Sequence, residues 1–345
     1  MKFLVSAAGT GGHVFPAMKF CQECISENHE VIWLGTKTGI ENSVVPKNNI
    51  ELLTIPMSGF RGKSLLIKIK SLFGLLASIL KSIYFILKYK VNFVICFGGY
   101  VSLPVGLAAW ICRKPLFLHE QNTVIGTSNK ILQRFARNIF LGFPLNSISE
   151  KNMILVGNPI EKFTKREPSF EGLRPLRIYV TGGSQGSEYL NLNIPEAINS
   201  LNRPIEVRHQ VGLGKSKGVK ELYSDQISVE IVEFYDSPQD SVIWSDFLIS
   251  RAGALSLSEA VSLKRGALII PLPSAIDNHQ LLNALNISQQ KMGLVHQESE
   301  SVELLAQKLQ MIVEKNLYKE WAITDCDIDH FQASRTMLSS ILKPK

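Results

Sequence analysis

Short apolar runs alternate with longer stretches of helical periodicity from one end of the chain to the other. In the first half the runs at Lys2–Ala7, Glu30–Leu34, Glu51–Ile55, Phe93–Phe97, Pro115–His119 and Asn138–Leu141 read as strands. In the second half the pattern restarts with Leu176–Thr181, Ile205–Gln210, Val229–Phe234, Phe247–Ser250 and Ala267–Pro271. Near-continuous apolar runs separated by helix-length intervals are the pattern of strands buried on both faces of a parallel sheet. Each half also opens with the same device, a strand ending in a glycine-rich turn that leads into a helix: LVSAAGTGGH at Leu4–His13 and IYVTGGSQGS at Ile178–Ser187. Between the halves, Glu161–Pro175 is charged and carries two prolines, which predicts a linker there. The expected fold class is therefore α/β, with two Rossmann-like domains facing one another across a cleft.

The segment Ser64–Lys90 predicts a long amphipathic helix. At 3.6 residues per turn, Leu65, Ile69, Leu72, Leu76, Ile79, Ile83 and Leu87 share one face, and Lys70, Lys81 and Lys88 fall on another with Ser71 and Ser78. The plain expectation is an apolar face turned to the core. Phe73, Tyr84, Phe85 and Ile86 form a surplus beside the lysines, as in a helix lying in an anionic membrane surface. The longest uncharged stretch, Ser71–Leu80, is too short to span a bilayer.

Composition adds limits. The chain has 345 residues, 45% hydrophobic and 19% charged, enough for two cores and unlike a disordered profile. Its +7 net charge is uneven: residues 1–160 carry 17 basic and 7 acidic side chains, the remainder 20 and 23. The basic half fits an anionic partner, and the apolar surplus beside its lysines favours membrane over nucleic acid. Five cysteines, with only Cys21 and Cys24 paired as CxxC, suit reduced thiols rather than a disulfide framework or a zinc site. Residues Phe3–Ala8 are too short for a signal-peptide core and read as a buried strand, so the chain is expected inside the cell.

Glycine turns at helix starts present backbone N–H groups to an anion. Neither turn satisfies GxGxxG, which removes most support for a nicotinamide enzyme. Two GKS triplets, at Gly62 and Gly214, lack the leading glycine of a P-loop, since Met57 and His209 stand at that position.

Seven motifs then converge in order: GTGGHVFPA at Gly9–Ala17, FGGYVSLP at Phe97–Pro104, HEQN at His119–Asn122, VGNP at Val156–Pro159, GGSQGS at Gly182–Ser187, SRAGALSLSEA at Ser250–Ala260 and DNHQLLNA at Asp277–Ala284. Over nearly the whole chain this resembles the MurG family, the N-acetylglucosamine transferases that convert lipid I to lipid II in peptidoglycan synthesis. The resemblance implies a GT-B fold, an inverting mechanism with no required metal or other cofactor, and peripheral attachment to the cytoplasmic face of the cell membrane. Its partners would be UDP-GlcNAc, lipid I and an anionic membrane surface. The implied domains are 1–160 for acceptor and membrane and 161–328 for UDP-GlcNAc, with a C-terminal helix in 329–345 packing back on the first.

The resemblance assigns donor binding to Thr10, Gly11, Gly12, Asn122, Ser184, Tyr235, the helix start Ala254, Leu255, Ser256, Leu257, Ser258 and Glu259, and Gln280. Gly9 and Tyr100 fall on the acceptor side, and Lys70, Phe73, Lys81, Phe85 and Lys88 on the membrane side. A hydroxyl at Ser184 suits a diphosphate, and Glu259, which only accepts, suits ribose hydroxyls. The transfer also needs a base for the acceptor hydroxyl, and imidazole titrates near neutrality. His13 is the leading candidate, His119 the alternative, and Glu120 an orienting group or second alternative. Three positions depart from the family: Ala8 precedes Gly9, Glu161 stands where an arginine reaches the donor, so that Lys162 or Arg166 would have to substitute, and Tyr235 replaces a smaller aliphatic residue. Competing readings are another GT-B glycolipid glycosyltransferase or UDP-sugar epimerase, and a non-catalytic nucleotide-sugar sensor at the membrane.

Overall fold

The computed structural model describes residues 1–57, 65–145, 151–163, 170 and 174–343, with the backbone alone for residues 65–72. The chain divides into two compact units, Met1–Glu161 with Ile328–Lys345, and Lys162–Asp327.

Unit 1 runs β1 (Lys2–Ser6), α1 (Gly11–Ser26), β2 (Glu30–Gly35), α2 (Glu41–Val44), β3 (Glu51–Thr54), α3 (Leu65–Lys88), β4 (Phe93–Cys96), α4 (Ser102–Ile111), β5 (Leu116–Glu120), α5 (Thr127–Leu132), β6 (Asn138–Leu141) and β7 (Met153–Leu155). Its strands form a parallel sheet in the order β3-β2-β1-β4-β5-β6-β7. Unit 2 runs β8 (Leu176–Thr181), α6 (Glu188–Asn199), β9 (Ile205–Gln210), β10 (Ser228–Val232), α7 (Pro238–Trp244), β11 (Phe247–Ser250), α8 (Ala254–Ser262), β12 (Ala267–Ile269), α9 (His279–Gln289), β13 (Gly293–Val295), α10 (Val302–Glu314) and α11 (Leu317–Ile323). Its parallel sheet has the order β10-β9-β8-β11-β12-β13. The chain then returns to unit 1 as α12 (Ala333–Leu342).

The pleat explains the helices on both faces. In β1, Phe3 and Val5 point to a core shared with Phe20, Cys21 and Cys24 of α1 and Met337, Leu338 and Ile341 of α12. Leu4, between them, points to the other core, with Phe85 and Ile86 of α3 and Val105 and Ala108 of α4. Strand limits agree with the sequence pattern to within a residue or two, except that β7 and β13 carry no legible signal. Both are three-residue edge strands, too short for any periodicity to show.

Helix α3 differs from its expected orientation. Ser78 and Ser82 are buried while Leu76 and Leu87, assigned to the core face, are exposed together with Phe73, Leu80 and Tyr84. Phe85, assigned to the membrane, lies in the core instead. The Ser82 hydroxyl donates to the Ser78 carbonyl at 2.7 Å, so two small side chains sit in the core without an unsatisfied Ser82 hydroxyl. Lys81 and Lys88 are exposed; the side chain of Lys70 lies outside the described residues. Among the described residues no helix is long and apolar enough to cross a membrane.

Candidate active site

In each sheet two neighbouring central strands send their connections to opposite sides, β1 and β4 in unit 1, β8 and β11 in unit 2. The loops leaving such a pair diverge and leave a crevice at the carboxyl ends of the strands, where ligands of open α/β sheets bind. The glycine turns stand at these two points.

In unit 1, β1 runs through Gly9, at φ +95°, to Thr10 at the N-cap of α1, and Gly11, Gly12 and His13 form the first turn. A side chain at Gly9 would strain that backbone. Facing it, the turn after β4 carries Gly98 and Gly99, at φ +94° and +78°. The missing side chain of Gly98 leaves a slot that the His13 ring fills: a Cβ there would lie 2.7 Å from Cδ2 and 2.9 Å from Nε2. Nδ1 of His13 sits 3.1 Å from Thr10 Oγ1. Tyr100 follows the slot, with its hydroxyl 3.5 Å from Thr36 Oγ1 and its ring beside Gly9.

The HEQN segment closes β5. His119 is 0% exposed, packs on Phe97 at 5.1 Å and has Nε2 3.3 Å from the Gly157 carbonyl. Burial pushes its pKa down to about 4, against a smaller upward pull from Gly157. Both ring nitrogens are enclosed, Nε2 at the Gly157 carbonyl, so the geometry favours a packing role for His119 over its expected role as the alternative base. Glu120 is also buried and raised by burial, and both its oxygens are engaged. Oε1 accepts from the Asn122 backbone and amide at 3.2 and 3.4 Å, Oε2 from Gly126 N at 2.8 Å and Asn129 Nδ2 at 3.0 Å. It shapes the loop that presents the half-buried Asn122, which fits the orienting role and leaves the carboxylate badly placed as a base.

In unit 2, Gly183 and Gly186, at φ +79° and +66°, bend the chain after β8 so that Ser184 stands exposed at the tip. Ser187 caps α6, accepting from Leu190 N at 3.3 Å. Next to this turn α8 begins at Ala254 after Gly253, whose lack of a side chain leaves the helix start without a capping group. Leu257 and Ser258 are buried, and Ser258 bonds back to the Ala254 carbonyl at 2.8 Å. From this helix start a ligand is therefore offered backbone N–H groups at Ala254, Leu255 and Ser256 rather than the side chains of Leu257 and Ser258. Glu259 is held by Gln239 Nε2, 3.0 Å from Oε1. Gln280 Oε1 accepts from Ala252 N at 3.2 Å and Leu272 N at 3.0 Å, which makes its NH2 the donor end of the side chain. Tyr235 packs edge-on against Tyr179 at 6.1 Å, and burial lifts its hydroxyl pKa to about 12. The expected donor residues are thus divided, Thr10–Gly12 and Asn122 in unit 1 and the rest in unit 2.

Glu161 is ion-paired with Lys19 of α1, which neutralises the carboxylate that stands in place of the family arginine. Arg166 lies outside the described residues. Sequence reasoning missed three organisers. Gln239 orients Glu259. Arg251, inside a motif but unassigned, donates to Ser187 Oγ at 2.6 Å and the Ile270 carbonyl at 3.2 Å, and pairs with Glu298 at 2.6 Å, joining the two loops of the unit 2 crevice. Glu41 is buried behind the first glycine turn, where only its spacing after Gly35 and Gly39 gave a signal.

Residues 3–141 match the glycosyltransferase family 28 N-terminal domain and residues 177–329 its C-terminal domain. A Pasteurella multocida (strain Pm70) protein named UDP-N-acetylglucosamine--N-acetylmuramyl-(pentapeptide) pyrophosphoryl-undecaprenol N-acetylglucosamine transferase is 37% identical over 313 residues, covering 89% of this chain and 86% of its own. Its namesake from Haemophilus influenzae (strain PittEE) is 36% identical over 328 residues, covering 92% and 91%. The crystal structure of Acinetobacter baumannii MurG aligns at a TM-score of 0.83, with 29% identity and 99% of each chain covered. With a GT-B fold, both domains of one family in order and its motifs at the two crevices, this chain belongs to glycosyltransferase family 28 and, within it, to the MurG family.

Proposed function

We infer that this chain transfers N-acetylglucosamine from UDP-GlcNAc to the 4-hydroxyl of the muramyl sugar of lipid I, inverting the anomeric carbon and giving lipid II. The observation that carries this reading is family membership along nearly the whole chain, with the glycine turns at the ligand-binding ends of both sheets. The acceptor oxygen attacks the anomeric carbon as the bond from that carbon to the β-phosphate oxygen breaks. UDP leaves with the electron pair, and the hydroxyl proton passes to a base.

His13 is the base in this reading. In the tautomer that carries its proton on Nδ1, 3.1 Å from Thr10 Oγ1, Nε2 is the atom that takes the acceptor proton. In unit 2, Ser184 and the start of α8 receive the diphosphate, Glu259 accepts from the ribose, Tyr235 borders the uracil, and the Gln280 amide donates to the sugar. Lys162 or Arg166 supplies the cation that the family arginine would bring to the donor. Peripheral attachment to the cytoplasmic membrane face is supported by α3, where Phe73 (69% exposed), Leu76, Leu80 (68%), Tyr84 and Leu87 make an outward stripe beside Lys81 and Lys88. Trp110 and Ile111, at the end of α4 in the same unit, are exposed as well and went unnoticed in the sequence. Apolar side chains edged by lysine are what an anionic interface takes up.

A transfer assay with UDP-GlcNAc and a lipid I analogue tests the reading. UDP release that depends on the acceptor is expected, falling about 10²–10⁴-fold in His13→Ala with UDP binding retained. Epimerised UDP-sugar without acceptor, or binding without turnover, overturns it in favour of an epimerase or a sensor.

A further inference from the structure

Glu41 is the first residue of α2 and is 0% exposed. Its carboxylate is surrounded by donors from two loops: Oε1 accepts from Thr36 N at 2.9 Å and Thr36 Oγ1 at 2.8 Å, and Oε2 accepts from Gly9 N at 3.2 Å. The chain makes room for it with glycine. A Cβ on Gly35 would lie 2.8 Å from Glu41 Cγ, and one on Gly39 would lie 1.9 Å from Oε2. An ionised group is expensive to bury, and charge-assisted bonds to backbone N–H groups are among the strongest a protein can offer it.

What those bonds hold is the reacting side of unit 1. Gly9 is the positive-φ hinge just before Thr10, and Thr10 in turn contacts His13. Thr36, gripped by the other oxygen, lies 3.5 Å from the hydroxyl of Tyr100, the residue that follows the Gly98–Gly99 slot. One carboxylate thus connects the turn after β1, the end of β2 and the turn after β4. We propose that Glu41 is a positioning residue for the transfer: it fixes the Gly9 peptide and the Thr36 hydroxyl so that Thr10 and His13 stand in register with the Gly98 slot and Tyr100. It touches no substrate. Reactions that depend on alignment lose rate when a group is displaced by about an ångström, so loosening this anchor lowers turnover more than affinity for the nucleotide, whose diphosphate, ribose and uracil contacts are assigned to unit 2.

The proposal rests on the transfer reading, and the test separates the two. Glu41→Gln preserves shape but sets an NH2 against one of the N–H donors, and Glu41→Asp preserves charge but shortens the reach. Both are expected to lower kcat with a lipid I analogue about tenfold or more, with KM for UDP-GlcNAc within about twofold of the wild type. In Glu41→Gln the Gly9 amide and His13 ring resonances should also shift. A merely structural role would lower the folded fraction and leave kcat per folded molecule unchanged, which overturns the proposal, as does wild-type turnover in both variants. If neither variant folds, Thr36→Val, which removes only the hydroxyl donor, decides: a drop in kcat of about threefold or more supports the anchor, and unchanged turnover overturns it. A wild-type chain inactive in the transfer assay overturns the functional reading instead.

Discussion

The His13 imidazole occupies the place where Gly98 would carry a side chain, with Nε2 2.9 Å and Cδ2 2.7 Å from that position. The two residues lie on different loops of unit 1, after β1 and after β4, and sequence distance hides their dependence. Gly98 has a second reason to be glycine, its φ of +94°.

Gly98→Ala should therefore act on His13 more than on the fold. Turnover with saturating lipid I analogue is expected to fall about a hundredfold, as for a displaced catalytic base, while UDP binding by calorimetry stays within about twofold. Near-normal turnover would mean that the ring can leave the slot without consequence.

The two buried histidines of unit 1 give a pH dependence with a definite sign. His119 is lowered to about 4 and His330 to about 3, in both cases chiefly by burial, from an ordinary 6.5. The unfolded chain takes up protons first as pH falls, so their contribution is complete above pH 6.5 and is lost as pH drops toward their folded values. Calorimetric melting between about pH 7.5 and pH 5 should show the midpoint of unit 1 falling, with a flatter slope in His119→Gln. His119→Gln should keep measurable transfer activity at neutral pH, unlike His13→Ala.

On α3, exposure separates side chains that look alike in sequence. Replacing Phe73, Leu80 and Tyr84 together by serine should strongly reduce sedimentation with anionic vesicles and barely move the melting temperature, since all three are exposed. Phe85→Ala should do the reverse, costing about 3 kcal/mol or more of stability. Lys81→Gln with Lys88→Gln should weaken vesicle binding by about 1 kcal/mol per lysine, an effect that added salt mimics. Binding that ignores both changes would assign the stripe elsewhere.

In unit 2, Glu259→Ala is expected to weaken UDP-GlcNAc binding by about 1.5–3 kcal/mol through loss of a charged acceptor. Gln239→Ala, which removes only the group that orients it, should have a smaller effect of the same kind. Titration calorimetry of both variants checks the order.

The sequence by itself determined the two-sheet α/β architecture, the glycine turns and the family, because these depend on local signals. Apolar runs, φ-permissive glycines and motif spacing are each written in a few consecutive residues. It also placed Thr10, His13, Ser184, Glu259 and Gln280 in the loops that the switch points then brought to the strand ends. Tertiary structure alone decided which polar groups stand open at the strand ends and which are consumed inside. His119 and His13 are both histidines in or after a strand of unit 1, each within a family motif, but Phe97 and Gly157 enclose the first while the Gly98 slot seats the second. Glu41 looked like any surface glutamate until Gly9 and Thr36 closed on it. On α3 the helical period was legible, but not its rotation about the axis. Close packing turned Ser78 and Ser82 inward and left Leu76 and Leu87 outside. Burial depends on what stands opposite a side chain, and the residue that stands opposite is set by chain contacts far away in sequence.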